Sequence, residues 1–258
     1  MNLLALPAFT DNYIWMLHNG RHVLVVDPGD AAPVLTALKQ HGLTLTAILV
    51  THRHPDHVAG LAMLQSGHIP VYGPRHEVID GITHKVGEGD LIDWEGVRIG
   101  VMDTPGHTAG HIAYHIENAP DQGGVGPIAF VGDTLFSAGC GRLFDGEMSQ
   151  LYGSLSRLAR LPDDTRVCAA HEYTLSNLRF AKAVEPNNLD LDAYQVHCED
   201  LRARMQPTLP STLRVEKAVN PFLRCTESEV VSSAMQQGAR DTSPEAVFAA
   251  LRQWKNTF

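Results

Sequence analysis

The sequence lacks any apolar run of about 18 residues, the length that a membrane-spanning helix needs. Its first residues lack the basic region and the small-residue cleavage site of a secretory signal. Cysteine is also scarce, and the only examples lie far apart in no pair motif, at Cys140, Cys168, Cys198 and Cys225. Free thiols are typical of a reducing compartment, so we expect a cytoplasmic protein with no membrane partner.

Positive charge is scarce as well, with 20 Lys and Arg against 29 Asp and Glu and a formal net charge of −9. Nucleic-acid binding depends on clustered Lys and Arg that neutralise phosphates, so we expect no nucleic-acid partner. An anionic small molecule can still bind if a local group of cations faces it. The 258 residues suffice for one large domain or two smaller ones, and we expect a monomer.

The first two thirds of the chain alternate short apolar segments with amphipathic ones, a pattern that predicts strands covered by helices on both faces. The predicted strands are 12–17, 22–27, 46–51, 97–102, 111–116, 127–132 and 166–170. Helices are predicted at 31–42, with Asp30 as its N-cap and Gly42 at its end, and at 148–161. The Gly-rich segment 119–127 is interpreted as a hairpin connection.

Strand signals become sparse after about residue 173. Amphipathic segments instead predict helices at 174–185, 191–206, 226–239 and 243–255. Ser243 and Pro244 suit the N-cap and the first position of the last helix. We therefore predict an α/β domain over residues 1–173 and a small all-helical domain over 174–258.

A dense group of possible metal ligands follows the predicted strand 46–51. It consists of three histidines and one aspartate within six residues, His52, His54, Asp56 and His57. Imidazole and carboxylate groups are good Zn²⁺ ligands. One ion cannot easily take all four from so short a segment, whereas two adjacent ions can, each with one neighbouring pair. A solvated polar loop and a structural zinc site are the alternatives, and structural sites favour Cys, which is absent nearby.

Three further candidates, His107, Asp133 and His171, each follow a later predicted strand. Sites in layered α/β folds gather at strand ends, so this repeated position favours a shared site. The two oxygens of Asp133 could bridge two cations. His111 competes with His107, but it opens a strand, so we expect it behind the site or in a structural role.

The segment THRHPDH (51–57) resembles the T-H-x-H-x-D-H signature of the metallo-β-lactamase superfamily, and TPGHTAGH, GDTLF and AHEYT resemble its remaining ligand motifs in order. The resemblance implies an αββα sandwich that holds two divalent metal ions, Zn²⁺ or else Fe or Mn²⁺. It also implies the ligand sets: His52, His54 and His107 on metal 1, Asp56, His57 and His171 on metal 2, and Asp133 bridging both.

Longer segments, GCGRLFDG (139–146), AHEYTLSN (170–177) and LRQWKNTF (251–258), resemble glyoxalase II, and the match runs nearly end to end. This resemblance implies hydrolysis of S-(2-hydroxyacyl)glutathione thioesters, chiefly S-D-lactoylglutathione, to glutathione and D-lactate. In the implied mechanism, a hydroxide that bridges the two metal ions attacks the thioester carbonyl, and Asp56 orients it.

Glutathione carries two carboxylates, so an acidic protein needs local cations to hold it. Arg252 and Lys255 share one face of the last predicted helix, and Arg142 lies near the metal motifs in sequence. With Tyr173 as a hydrogen-bond donor, these residues are the expected substrate contacts. Phe144 stands where some family members have Tyr, so one hydroxyl contact is missing and an apolar ring remains. An ordinary solvated helix face is the alternative for Arg252 and Lys255.

Other functions stay open at this point. A lactonase, a β-lactamase or a ribonuclease of the same superfamily would share the ligands, although ribonuclease activity fits the net charge poorly. A persulfide dioxygenase would use a single iron, whereas Asp56, His57 and His171 favour a second metal. A non-catalytic metal-binding or glutathione-binding module would not need the complete ligand set.

Overall fold

The structure is a computed structural model that describes residues 1–65, 69–117 and 126–258. Most of the predicted hairpin connection 119–127 lies outside the described residues. In chain order, the strands are β1 (Asn2–Ala8), β2 (Asn12–His18), β3 (His22–Val26), β4 (Thr44–Leu49), β5 (Val71–Pro74), β6 (His84–Val86), β7 (Leu91–Trp94), β8 (Val97–Asp103), β9 (Ile112–Ile116), β10 (Ile128–Gly132), β11 (Leu135–Phe136), β12 (Gly139–Cys140), β13 (Arg166–Ala169) and β14 (Ser211–Thr212).

The helices fall into two groups along the chain. Between the strands lie α1 (Ala31–His41), α2 (Pro55–Val58), α3 (Leu61–Leu64) and α4 (Met148–Leu158). After β13 come α5 (Thr174–Val184), α6 (Leu189–Ala203), α7 (Leu213–Val219), the 3-10 helix Pro221–Leu223, α8 (Ser228–Gln236) and α9 (Pro244–Thr257). In the described part of the chain, no helix combines the length and apolar character needed to cross a membrane.

Two six-stranded sheets form the centre of the molecule. The first has the order β1-β2-β3-β4-β5-β6 and the second the order β14-β13-β10-β9-β8-β7, while β11 and β12 make a separate small hairpin. β3, β4, β5 and β6 run parallel to one another, which brings the carboxyl ends of β3 and β4 to the same edge. The α/β sandwich predicted from the sequence is therefore confirmed.

The inner strands β2 and β3 of the first sheet are buried on both faces. In β2, Tyr13, Trp15 and Leu17 belong to the large core cluster that includes residues of the second sheet. The alternate residues Ile14 and Met16 pack in a second cluster with helix α1. Since side chains of a strand point alternately to its two faces, one continuous apolar segment fills both layers.

The predicted strands and helices are present, with ends that differ by a few residues. Asp30 caps α1 by accepting a hydrogen bond from Ala32 N at 2.9 Å, and Gly42 ends it in the left-handed region at φ 63°. Ser243 occupies the N-cap position of α9, but its hydroxyl bonds Asp241 and makes no cap hydrogen bond. Ser243 and Pro244 thus hold the predicted positions at the start of α9, although the Ser243 side chain caps no helix amide.

Several elements have no counterpart in the predicted pattern. They include the partly exposed β1, the short strands β5, β6 and β7, and the short helix α7. β14 lies after the predicted boundary at residue 173 and pairs with β13 of the second sheet. The helical segment also contributes Phe180, Phe222 and Val247 to the large core cluster. Helices and sheets thus share one core, and the division into two domains stays a prediction.

We expect Asp30→Ala to lower the free energy of unfolding by about 1 kcal/mol, because it removes the acceptor for one free amide of α1. Asp30→Asn keeps a side-chain oxygen at this position and serves as the control. Urea denaturation of both variants and of the unchanged protein measures the effect. Equal stability of the Ala and Asn variants would contradict the capping role.

Candidate metal centre and substrate cavity

Four strand ends bring together all seven residues that the sequence motifs single out as ligands. His52 lies just after β4, His107 after β8, Asp133 after β10 and His171 after β13. They form two groups in which possible ligand atoms lie within 4.8 Å of one another, one of His52, His54, His107 and Asp133 and one of Asp56, His57 and His171. The predicted convergence at one edge of the sandwich is thus present.

In the first group, three imidazole nitrogens face one point. His54 Nδ1 lies 3.0 Å from His52 Nε2 and 3.0 Å from His107 Nε2. Burial lowers the pKa of each of these histidines, which favours neutral rings, and each neutral ring has one nitrogen with a lone pair. Lone pairs in such proximity repel unless a cation lies between them, and neutral imidazole is the form that binds metals.

The second group is built around an imidazole nitrogen with no hydrogen-bond partner, His57 Nε2. It lies 3.5 Å from Asp56 Oδ2, and His171 Nε2 lies 3.4 Å from the same oxygen. Buried polar atoms almost always have partners. An orphaned nitrogen between a carboxylate and a second imidazole therefore fits a second cation.

Asp133 connects the two groups. Its Oδ1 lies 3.5 Å from His57 Nε2 and 3.4 Å from His171 Nε2, while its Oδ2 lies 3.3 Å from His107 Nε2. Burial would raise the pKa of Asp133, but His57 and His171 more than offset it and hold that pKa below its usual range. An ionised carboxylate with one oxygen toward each group is suited to bridging two cations.

The second nitrogen of most of these histidines is held by an oxygen. His171 Nδ1 lies 2.8 Å from Asp11 Oδ1, and His107 Nδ1 lies 2.8 Å from the carbonyl oxygen of Arg142. His57 Nδ1 lies 3.1 Å from Asp27 Oδ2, within ion-pair distance but without a hydrogen bond. Such partners fix which nitrogen is free and how each ring is turned.

Three residues that support the candidate ligands were not identified from the sequence: Asp27, Asp11 and Asn12. Asp27 follows β3 directly, which is the same strand-end signal that identified the other residues, and both its oxygens accept hydrogen bonds from Thr51 at 2.7 Å. Asn12 Nδ2 donates to Asp56 Oδ2 at 2.9 Å. Asp11 and Asn12 do not belong to a metal-ligand motif in the sequence, because they act through His171 and Asp56.

His111 lies behind the site. Its Nδ1 is 2.9 Å from Thr104 Oγ1, and its Nε2 accepts a hydrogen bond from the backbone amide of Asp133 at 3.1 Å. Both ring nitrogens are therefore engaged away from the two ligand groups. This position agrees with the expected structural role of His111.

A cavity of about 640 Å³ opens over the two groups. Its lining includes His54, Asp56, His107, Asp133 and His171 together with all five predicted substrate contacts, Arg142, Phe144, Tyr173, Arg252 and Lys255. The structure therefore places the predicted ligands and the predicted substrate contacts in one site. Phe136, Ser176, Asn177 and Arg179 also line it and were not anticipated.

The aromatic residues of the cavity pack on the candidate ligands. Phe144 is 64% exposed, and its ring meets His54 edge-on at a centroid distance of 4.8 Å. Tyr173 stacks on His171 at 4.7 Å with an interplanar angle of 7°. Burial raises the pKa of Tyr173, which keeps its hydroxyl protonated and able to donate.

The two cationic side chains of α9 differ in how available they are to a ligand. Lys255 Nζ donates to Asn177 Oδ1 at 2.6 Å, and burial lowers the pKa of Lys255 to about 8. Arg252 is only 2% exposed, and its guanidinium donates to the carbonyl oxygen of Cys140 at 3.0 Å and to Asn256 Oδ1 at 3.1 Å. Lys255 is thus the more available of the two for an anionic ligand.

Comparison with known proteins identifies the family. A family model described as the metallo-beta-lactamase superfamily matches residues 8–80 and 67–171, and one described as the hydroxyacylglutathione hydrolase C-terminus matches residues 172–258. A hydroxyacylglutathione hydrolase of Albidiferax ferrireducens is 53% identical over 259 residues, with 100% of both chains covered. The chain belongs to the hydroxyacylglutathione hydrolase family.

A second member of the hydroxyacylglutathione hydrolase family, from Nitrosomonas europaea, is 48% identical and covers 100% of this chain and 97% of its own. Among solved structures, ETHE1 from Myxococcus xanthus has a TM-score of 0.65 at 24% identity and covers 100% of this chain and 99% of its own, which shows the shared fold. A chain solved in a di-iron-bound form has a TM-score of 0.58 at 25% identity, covering 86% of this chain and 100% of its own. Together with the His and Asp cluster, the family fold indicates divalent metal ions.

We expect Gly141→Ala to reduce metal content and activity at least about tenfold, because the added Cβ would overlap the carbonyl oxygen of Asp133. Gly153→Ala on α4 is the matched control, since a Cβ there meets nothing within 4 Å. The control should keep full activity and gain up to roughly 1 kcal/mol in stability, because Ala favours a helix. Metal analysis and activity assays on both variants test this, and an unaffected Gly141→Ala protein would contradict the close-packing argument.

Proposed function

We propose that this protein hydrolyses S-(2-hydroxyacyl)glutathione thioesters, chiefly S-D-lactoylglutathione, to glutathione and D-lactate. One observation carries the proposal: two groups of potential metal ligands and the cationic residues of α9 face the same cavity. The relatives named hydroxyacylglutathione hydrolase support it, because they match along the whole chain. Lactonase, β-lactamase and ribonuclease activities are disfavoured, because none would be expected to need this cationic tail.

We assign two divalent ions, both Zn²⁺, to the site. Metal 1 would be held by His52, His54 and His107, metal 2 by Asp56, His57 and His171, and Asp133 would bridge them. Facing nitrogens in the first group and the orphaned His57 Nε2 and Asp133 Oδ1 support these positions. The neighbour solved in a di-iron-bound form supports the number of ions but leaves iron as an alternative to zinc.

Bound ions of this kind lower the pKa of coordinated water toward neutrality and polarise a carbonyl oxygen. The chain then has to orient the attacking water and the thioester. The neighbouring His57, whose Nε2 lies 3.5 Å from Asp56 Oδ2, and a hydrogen bond from Asn12 hold the pKa of Asp56 below its usual range, so Asp56 stays an ionised acceptor that can orient the water. The departing thiol has an ordinary pKa of about 8.5, so no strong general acid is needed on the leaving side.

Glutathione would lie along the wall formed by Arg142, Tyr173, Lys255 and Arg252. We propose that Lys255 pairs with a carboxylate of the peptide, since it is the more accessible cation of α9. Phe144 would pack against the peptide through its exposed ring, without the hydrogen bond that a Tyr would add. Residues 1–173 would thus supply the metal ligands together with Arg142, Phe144 and Tyr173, and residues 174–258 would supply the two cations of α9. We further propose a cytoplasmic monomer, in keeping with four cysteines that are free and buried.

The proposed activity predicts that purified protein hydrolyses S-D-lactoylglutathione and holds about two metal ions per chain. Asp133→Ala should lose most of both properties, because it removes the bridging carboxylate. Asp93→Ala, which removes an exposed carboxylate of β7, is the matched control and should keep both. Metal analysis and steady-state hydrolysis on the same samples decide the matter. Full activity in metal-free protein would end the proposal.

The lowered pKa of Lys255 predicts a pH dependence of substrate binding. In the free protein, the ammonium group is present below pH 8 and is lost as the pH rises through about 8, so KM should rise above that pH. Lys255→Met should raise KM at least about tenfold at pH 7 and remove this dependence, since a hydrogen bond to a charged group contributes roughly 1.5–3 kcal/mol.

Lys217→Met is the control for this experiment, because Lys217 pairs with Asp163 and does not line the cavity. Kinetics between pH 6 and pH 9, which span the pKa of about 8, separate KM from kcat. An unchanged KM profile in Lys255→Met would show that this residue does not hold the substrate.

A further inference from the structure

The small hairpin of β11 and β12 lies between two parts of the candidate metal site. Asp133 precedes it in the chain, and Arg142, whose carbonyl oxygen lies 2.8 Å from His107 Nδ1, follows it. A shift of the hairpin would therefore move the bridging carboxylate and release an imidazole from its orienting partner. What holds the hairpin in place thus determines the geometry of the site.

Helix α7 and the residue that ends it hold one side of this hairpin. Asn220 Nδ2 donates to the carbonyl oxygens of Phe136 at 3.1 Å and Gly139 at 2.9 Å. Glu216, one turn earlier, accepts a hydrogen bond from the backbone amide of Ala138 through Oε2 at 2.8 Å. Glu216 and Asn220 are both fully buried and also contact each other at 3.1 Å.

Helices α5 and α9 also hold the hairpin through side-chain hydrogen bonds. Asn177 Nδ2 donates to the carbonyl oxygen of Ser137 at 2.9 Å, and Arg252 donates to that of Cys140 at 3.0 Å. Each residue from 136 to 140 therefore has a backbone group bonded to a side chain of the C-terminal helices. Ala138 has φ 54°, a conformation that a residue with a Cβ adopts only when its surroundings impose it.

We propose that Glu216 and Asn220 are positioning residues for the metal centre, so that the C-terminal helices hold the ligand geometry as well as the substrate. The inference rests on the proposed metal-dependent function. Neither residue lines the cavity. Loss of either should therefore weaken metal binding and lower kcat, while KM for the thioester changes little. Lys255→Met should give the reverse pattern, with a raised KM and full metal content.

Asn220→Ala with Asn188→Ala as its matched control tests the proposal. Each asparagine caps a helix start, Asn220 for Phe222 N and Asn188 for Leu191 N, both at 3.1 Å. Asn188 Nδ2 bonds the carbonyl oxygen of Ala218 and does not touch the hairpin. The two variants thus lose similar capping bonds, and only one of them frees the hairpin.

We expect Asn220→Ala to bind Zn²⁺ at least about tenfold more weakly in competition with a chelator and to lose kcat to a similar degree. Asn188→Ala should match the unchanged protein in both measurements, even where its thermal stability is lower. Equal metal affinity and kcat in the two variants would overturn the proposal. A raised KM with unchanged metal affinity in Asn220→Ala would also overturn it.

Substitutions of Glu216 give a second test that does not depend on the cap. Burial raises the pKa of Glu216 and favours its neutral acid, so Glu216→Gln keeps a neutral acceptor for Ala138 N. We expect Glu216→Gln to retain metal affinity and kcat, and Glu216→Ala to lose both. Similar results for the two variants would overturn the positioning role.

Failure of this inference is distinguishable from failure of the proposed function. If the unchanged protein bound no metal or did not hydrolyse the thioester, the proposed function itself would fall. If it did both while the Asn220 and Glu216 variants behaved like it, only the positioning role would fall.

Discussion

The electrostatic cost of burying unpaired polar groups governs this structure. Asp133 and His57 are largely removed from solvent, yet each has an atom without a hydrogen-bond partner, and the nitrogens of His52, His54 and His107 face one another. Such an arrangement is unfavourable by itself, because the buried polar atoms have lost their hydration. Cations at the two ligand groups turn the same arrangement into attraction. With ions at both groups, as proposed, folding and metal binding would be coupled.

The fold and much of the site follow from local sequence patterns. Apolar runs that end in His or Asp place ligands at one edge of the sandwich, and the spacing of His52, His54, Asp56 and His57 is visible in the sequence alone. The short or partly exposed strands β1, β5, β6 and β7 give no such signal, because tertiary pairing stabilises them more than local pattern does.

The supporting residues were harder to predict for a different reason. Asp11 and Asn12 act on His171 and Asp56, which lie 160 and 44 residues away in the chain. Glu216 and Asn220 form hydrogen bonds with a hairpin about 80 residues earlier in the chain. The periodicity of apolar residues reflects local structure and does not predict contacts over such separations. Only the folded structure reveals them. Arg252 illustrates the same limit: its place in the cavity was predicted, but its bond to the Cys140 carbonyl was not.

The hydrogen bonds that the C-terminal helices make to the small hairpin have a consequence for biosynthesis. Arg252 follows Cys140 by 112 residues, so the ribosome has made all seven candidate ligands well before it makes this guanidinium. Until α7, Asn220 and α9 have emerged, the carbonyl groups of Phe136, Gly139 and Cys140 lack their side-chain donors, and the amide of Ala138 lacks its acceptor. A nascent chain therefore cannot yet hold the hairpin as the finished protein does. Stable metal loading would then be a late event, and chains stalled short of α9 would compete poorly for divalent metal ions.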